Sequence, residues 1–154
     1  MIADEPTTAL DVTIQSQVLE LLSQLKKTYK LTLLFITHNL GIVAEIADKV
    51  AVMYAGEIIE TGLTTEIFKQ PGHPYTQGLL KSIHYMDENI YLTKRLETIE
   101  GTVPDLIDMP YGCYFKQRCV FSMDICMEKH PPMISLSPTH QARCFLHGQQ
   151  HKLY

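Results

Sequence analysis

Two adjacent carboxylates, Asp4 and Glu5, stand near the start of this 154-residue sequence, directly after a short apolar run. At the end of a strand, the first carboxylate can reach the water shell of Mg²⁺ and the second can polarise an attacking water, which is the chemistry of phosphoryl transfer. His38 follows a second apolar run, residues 31–37, and a neutral imidazole there can bind a terminal phosphate and the same water. Each feature alone also fits a solvated charge pair or a capping histidine, so the prediction depends on their combination.

A second group of chemically capable side chains is formed by the cysteines, which all lie in the last third of the chain: Cys113, Cys119, Cys126 and Cys144. Zinc sites usually contain a C-x2-C pair, and this sequence has none. A [4Fe–4S] cluster also takes four thiolates and tolerates irregular spacing, whereas disulfides are disfavoured in a reducing compartment. The residues themselves therefore leave three possibilities open for the four cysteines: an iron–sulfur cluster, a zinc ion or unligated thiols. The nearby His130, His140 and His147 are not needed as ligands.

The elements that must position the carboxylates and His38 are predicted from apolar periodicity. Residues 1–3 and 31–37 read as strands, and helical spacing follows each of them, from residue 14 to 29 and from 40 to 47. This order predicts an α/β fold with a parallel sheet and right-handed crossovers. The carboxyl ends of parallel strands share one edge, where ligands of such sheets bind.

The pattern changes after these elements. Two β-rich runs, residues 49–54 and 57–61, flank Ala55-Gly56 and predict a hairpin. A short helix is expected to Phe68 and another from Pro74 to about Ile83, where the proline of His73-Pro74-Tyr75 suits a helix start and the motif is assigned a structural role only. Residues 87–112 are expected to form a linker, followed by a small irregular tail that carries the cysteines.

Composition excludes several classes of function. At 45% hydrophobic residues the chain can bury a core, and a net charge of −4 without basic clusters argues against nucleic-acid binding. No apolar run approaches the roughly 20 residues that span a bilayer, and acidic residues at positions 4 and 5 do not fit a secretory signal. We therefore expect a soluble, cytoplasmic protein.

The stretch IADEPTTALD (2–11), followed by LLFITHNL (33–40), resembles the ATP-binding subunits of ABC transporters. The resemblance implies that Asp4 is the Walker B aspartate, which contacts the water shell of Mg²⁺, and that Glu5 is the general base. It further implies that Asp11 belongs to the D-loop at the ATP-bound dimer interface and that His38 senses the γ-phosphate. VAVMYAGEIIETG (50–62) is similar to the closing hairpin of the same core.

Two further stretches, FKQPGHPYTQGLLKSI (68–83) and GTVPDL (101–106), resemble the dipeptide and oligopeptide importer subgroup. This implies a partial P-loop ATPase core over residues 1–62, a helical segment over 63–86 and a cysteine-rich extension over 87–154. It also implies ATP and Mg²⁺ as cofactors and favours a [4Fe–4S] cluster, with zinc as the alternative.

The resemblance implies partners as well: a second ATPase subunit, two transmembrane permease subunits and an extracytoplasmic peptide-binding protein, with the chain held at the inner face of the membrane. The cargo (dipeptide, oligopeptide or nickel) stays open. Nothing in the sequence matches the phosphate-binding loop G-x-x-x-x-G-K-[ST] or the signature loop. We therefore expect the chain to be the carboxyl-terminal portion of a longer ATPase that alone binds ATP weakly or not at all. The alternatives are a metal-binding interaction module and a truncated product without activity.

Overall fold

The computed structural model describes residues 1–87 and 99–151, and the chain divides into two compact units, residues 1–47 and 48–154. The first unit contains two strands and two helices in alternation: β1 (Ile2–Asp4), α1 (Val12–Tyr29), β2 (Leu34–Ile36) and α2 (Leu40–Ile46). The strands pair in parallel, with Ile2 opposite Leu34 and Asp4 opposite Ile36. The predicted strand–helix–strand–helix order is confirmed.

Both helices of the first unit begin at a side-chain cap. Asp11 accepts a hydrogen bond from the Ile14 amide at 2.9 Å, and Asn39 accepts one from the Gly41 amide at 3.0 Å. Each cap satisfies a backbone N–H that has no partner within its own helix. Helix α1 ends at Tyr29 and is followed by Lys30, whose left-handed backbone (φ 51°) caps the last turn.

The sheet of the first unit is smaller than the sequence predicts. Only Leu34–Ile36 of the expected strand 31–37 is extended and paired, and its two end residues are exposed instead of covered on both faces. Within this unit each strand has a single neighbour, so the predicted parallel sheet is one pair of strands. Because side chains alternate along a strand, Leu34 and Ile36 share one face, which is exposed in this unit, and Phe35 lies half-buried on the other.

The second unit is built on the predicted hairpin, β3 (Lys49–Tyr54) and β4 (Glu57–Leu63), which pair antiparallel. The two turn residues, Ala55 and Gly56, both have positive φ angles of 47° and 80°, as tight hairpin turns require. The remaining elements follow in chain order: α3 (Thr64–Lys69), α4 (Pro74–Asp87), a 3-10 turn (Lys116–Arg118), α5 (Asp124–Glu128), β5 (Ile134–Ser135), β6 (Gln141–Ala142) and a second 3-10 segment (Phe145–His151).

The tail is more regular than the prediction of an irregular extension. Strand β6 pairs with β4 and with β5, which gives a four-stranded antiparallel sheet in the order β3-β4-β6-β5. Helix α4 also continues to Asp87, beyond the expected end near residue 83. Of the predicted linker 87–112, residues 88–98 lie outside the described residues, and 99–112 form neither helix nor strand.

The core of the second unit lies beneath the hairpin. Alternate residues of β3 are buried, ending at Tyr54, whose ring contacts those of Tyr75 and Phe115 at centroid distances of 4.8 and 5.2 Å. This aromatic cluster joins the hairpin, α4 and the cysteine-bearing tail, because each contributes one ring. No helix among the described residues is both long and apolar enough to cross a membrane.

Candidate functional site

The structure brings Glu5 and His38 together, as the sequence predicts. Glu5 directly follows β1, and its amide donates to the Ile36 carbonyl at the end of β2. His38 lies two residues beyond β2, and its Nδ1 is 3.0 Å from Glu5 Oε1. A carboxylate only accepts hydrogen bonds, so the imidazole Nδ1 carries the proton of this contact.

The carboxylate of Glu5 is held in place by a second donor. Thr8 Oγ1 donates to Glu5 Oε2 at 3.0 Å, and Glu5 itself adopts a left-handed backbone conformation (φ 44°). The His38 and Thr8 hydrogen bonds lower the pKa of Glu5, so the group is a carboxylate at neutral pH. The Glu5 and His38 side chains are 46% and 77% exposed, which leaves both accessible to a ligand.

The two other predicted nucleotide residues have different surroundings. Asp4 is the last residue of β1, and its side chain is exposed next to Glu5. Asp11 is the N-cap of α1, so its carboxylate already accepts one backbone hydrogen bond. Asp11 thus caps α1, a role separate from the place in a D-loop that the resemblance implies.

All four predicted metal ligands line one pocket in the second unit. Its other walls are mainly apolar and include His73, Pro74 and Phe115. The four cysteines are free thiols in this structure. Burial raises the pKa values of Cys113 and Cys119 and raises that of Cys144 to about 11. The pocket therefore favours neutral thiols unless a positively charged centre stabilises the thiolates.

Two backbone features bring the first and third cysteines together. The Cys113 amide donates to the Cys126 carbonyl at 2.8 Å. Gly112 has a φ of 85°, and a side chain there would collide with the backbone of Cys126 and Met127. Glycine at this position thus permits the close crossing of the two segments.

Among residues 1–87 and 99–151, no group of three or more His, Cys, Asp or Glu side chains is arranged to hold a metal ion. A single zinc ion needs its sulfur ligands about 2.3 Å from one centre. A four-iron cluster is larger and distributes its thiolates around its surface, one on each iron. The four thiols line one pocket, but within the described ranges they are not arranged around a common metal centre.

Glu60 on β4, the most deeply buried acidic residue in the described part of the chain, was missed by the sequence analysis. It is 0% exposed and accepts hydrogen bonds from the amides of Gly72 (2.6 Å) and His73 (2.9 Å). His140 Nε2 donates to the same carboxylate at 2.7 Å. Its only sequence signal is a charged residue within an apolar strand, because the three donors lie 12, 13 and 80 residues away.

His73 lies between this carboxylate and the cysteine pocket. The ring is 2% exposed, and its Nδ1 accepts a hydrogen bond from the Tyr75 amide at 3.0 Å. Burial lowers the pKa of His73 to about 4, so the imidazole is neutral at pH 7. His147 stabilises the adjacent backbone, because its Nε2 donates a hydrogen bond to the Gly72 carbonyl at 2.7 Å.

Comparison with known proteins finds sequences that are similar to this chain. The family model for the oligopeptide/dipeptide transporter C-terminal region matches residues 59–126. The oligopeptide transport ATP-binding protein OppD of Bacillus subtilis is 51% identical over 146 residues, which cover 95% of this chain and 40% of the relative.

Two dipeptide transport ATP-binding proteins named DppD are also similar. That of Lactococcus lactis is 50% identical over 146 residues (95% of this chain, 41% of the relative). That of Bacillus subtilis is 47% identical over 150 residues (97% of this chain, 44% of the relative). The chain thus spans less than half the length of the curated relatives that it matches.

Proposed function

Because the chain belongs to the family of ATP-binding subunits of oligopeptide and dipeptide ABC transporters, we propose that it works as part of such a subunit, which couples ATP hydrolysis to peptide uptake. The observation that best supports the proposal is the hydrogen bond between Glu5 and His38 just beyond two parallel strands. Sheet edges of this kind are where α/β proteins bind their ligands.

In this proposal Glu5 is the general base. Its lowered pKa keeps it ionised, and each of its oxygens already holds one donor, from His38 and from Thr8. A carboxylate oxygen has a second acceptor site, which can take the proton of an attacking water. Asp4 would hold Mg²⁺, which neutralises charge on the phosphates when it is bound.

His38 would contact the terminal phosphate, and the structure adds a condition to this role. In the neutral ring, Nδ1–H donates to Glu5, which leaves Nε2 without a proton. A phosphate oxygen is itself an acceptor, so a hydrogen bond to it requires that the ring gain a second proton or release Glu5. We infer that phosphate contact and the Glu5 bond compete unless His38 is protonated.

The test uses the longer subunit assembled with its permease and peptide-binding protein. Glu5→Gln should lower the rate of ATP hydrolysis by about 10²- to 10⁴-fold, as expected for a general base, while ATP binding persists. Lys27→Gln on the exposed side of α1 is the matched control and should leave the rate unchanged. A Glu5→Gln protein that hydrolyses ATP at the wild-type rate would remove Glu5 from this role.

The partners proposed with this function are a second ATPase subunit, two transmembrane permease subunits and an extracytoplasmic peptide-binding protein. They would hold the chain at the inner face of the membrane. The sequence lacks a phosphate-binding loop, so the 154-residue chain alone should bind Mg-ATP weakly or not at all. Fluorescent-nucleotide titration checks this, and micromolar binding would contradict it.

A second proposal concerns the cysteine pocket, which we propose holds a [4Fe–4S] cluster. Four thiols lining one pocket with mainly apolar walls support it, and a bound cluster would stabilise the thiolates that burial disfavours. Anaerobic purification with iron, sulfide and zinc analysis tests the proposal. Four irons and four sulfides per chain are expected, whereas one zinc or four free thiols would contradict it. Metal content without any role in ATP hydrolysis would favour the alternative of a metal-binding interaction module.

A further inference from the structure

Thr8 is bonded to Glu5 twice, within the short turn that connects β1 to α1. Its backbone amide donates to the Glu5 carbonyl at 3.1 Å, and its hydroxyl Oγ1 donates to the Glu5 side-chain oxygen Oε2 at 3.0 Å. The neighbouring Thr7 is 7% exposed and anchors the turn in the unit, and Ala9 continues it with a left-handed backbone (φ 66°). The backbone of the turn therefore keeps the Thr8 hydroxyl within reach of the Glu5 carboxylate.

The two side-chain donors to Glu5 differ in how they respond to a phosphate. His38 holds Oε1 from beyond the end of β2, and its neutral ring must give up this bond when it donates to a phosphate oxygen. Thr8 holds Oε2 from the same turn as Glu5 itself, so this bond does not depend on the position of the imidazole. When His38 turns to the phosphate, the Thr8 hydroxyl is the side-chain donor, within the described part of the chain, that still orients the carboxylate.

The side chain of threonine suits this task. Its branched Cβ restricts rotation about χ1, which keeps the hydroxyl directed at one acceptor. The contact also acts on basicity, because the Thr8 bond, after the bond from His38, lowers the pKa of Glu5. A carboxylate that keeps this bond stays ionised to lower pH than one that loses it.

We propose that Thr8 is a positioning residue for ATP hydrolysis, whose hydroxyl holds the Glu5 carboxylate in the orientation that takes a proton from the attacking water. The inference rests on the function proposed above, in which Glu5 is the general base. In that reaction the water oxygen bonds to the terminal phosphorus, the bond from this phosphorus to the oxygen of ADP breaks, and Glu5 receives the proton of the water. Thr8 exchanges no proton and acts through Glu5 alone, so its contribution is geometric, and a misplacement of about 1 Å can lower a rate about 10²-fold.

The experiment uses the longer subunit assembled with its permease and peptide-binding protein. Thr8→Val removes the hydroxyl but keeps the branched shape, and Thr8→Ser keeps a hydroxyl on a side chain that rotates more freely. Thr28→Val is the matched control, because Thr28 is an exposed residue near the end of α1. For each protein we would measure kcat, the KM for ATP and the pH dependence of kcat/KM, with Glu5→Gln as the reference for a lost base.

Thr8→Val is expected to lower kcat by about 10- to 100-fold with little change in KM, which is the pattern of an interaction needed in the transition state. The acid limb of its kcat/KM profile should shift to higher pH, because the pKa of Glu5 rises when the hydroxyl is lost. Thr8→Ser should recover most of the rate and restore the profile, and Thr28→Val should match wild type.

A wild-type rate and profile in Thr8→Val, beside a Glu5→Gln protein that hydrolyses ATP slowly, would refute the role of Thr8 and leave the proposed function standing. A raised KM with an unchanged kcat would refute it as well, since that pattern indicates binding that is equal in the ground state and the transition state. A lowered kcat that Thr8→Ser does not restore would also count against the proposal, because the shape of the side chain and not its hydroxyl would then matter. A wild-type rate in Glu5→Gln would instead refute the general base, and the inference with it. If Thr8→Val does not assemble, Thr8→Ala replaces it in the same comparison with Thr8→Ser.

Discussion

The buried carboxylate of Glu60 should be one of the largest single contributors to the stability of residues 48–154. Glu60→Gln keeps the size of the side chain but replaces one acceptor oxygen with an NH₂ group that can only donate. The two oxygens of Glu60 now face three donors, from Gly72, His73 and His140. After the substitution at least one of these donors loses its acceptor inside the protein.

The magnitude follows from these contacts. Leaving a buried donor without its acceptor typically costs about 1–3 kcal/mol. We therefore expect Glu60→Gln to lower the free energy of unfolding by about 1–3 kcal/mol, measured by urea denaturation at pH 7 with circular dichroism. Such a loss is a large share of the stability of an ordinary domain.

The control is Glu20→Gln, because Glu20 lies on the exposed surface of α1, where a substitution usually changes stability by less than about 0.5 kcal/mol. A loss below about 1 kcal/mol in Glu60→Gln would refute the reasoning, since it would mean that the three donors find other acceptors. The double variant with His140→Gln then separates the contribution of the imidazole from that of the two backbone amides.

Three further outcomes concern Gly72 and the pocket residues His73 and Cys144. Gly72→Ala should destabilise the chain by about 1 kcal/mol in urea denaturation, because the new methyl group would lie 3.1 Å from the buried Cβ of Ala142, which cannot rotate away. The pKa of His73 is lowered to about 4, so below pH 6.5 the unfolded chain binds a proton that the folded chain does not. Stability should fall as the pH drops from 6.5 towards 4, by about 2 kcal/mol at pH 5 relative to pH 7.5, and His73→Gln should lack this part of the loss. In the metal-free chain Cys144, with a pKa raised to about 11, should react with iodoacetamide slowly at pH 8 and faster up to about pH 11; a rate equal to that of a free thiol at pH 8 would contradict its burial.

Local signals in the sequence predicted much of the first unit. The spacing of apolar residues places α1 to within two residues, because it acts within one or two helical turns. The nearness of Glu5 and His38 was expected from two strands that end at one edge, whereas their direct hydrogen bond was not. The hairpin followed from its turn residues and its β-rich runs.

The features that the sequence did not reveal depend on distant parts of the chain. A strand of two residues such as β6 has no periodicity of its own and exists only because β4 offers an edge 80 residues earlier. The role of Glu60 is equally non-local, since its partner His140 is also 80 residues away. The length of β2 depends on how many neighbouring strands it has. The local sequence pattern of a strand does not indicate the number of its neighbours.

The distribution of buried side chains leads to a last prediction, on the local stability of the two units. Of the eleven buried hydrophobic residues in the described part of the chain, nine lie within 48–154, and only Leu19 and Ile42 lie within 1–47. Amide exchange is slow where buried contacts oppose local opening of the backbone. Each 1.4 kcal/mol in the free energy of opening changes the exchange rate about tenfold. In the isolated 154-residue chain we therefore expect amides of α1 to exchange at least about tenfold faster than those of β3 and β4, as measured by mass spectrometry after deuterium labelling. Equal protection in the two units would show that residues 1–47 draw stability from contacts other than their own core. The expected result would mean that Glu5 and His38 are positioned by an easily opened scaffold, whereas the cysteine pocket is built on the stable part of the chain.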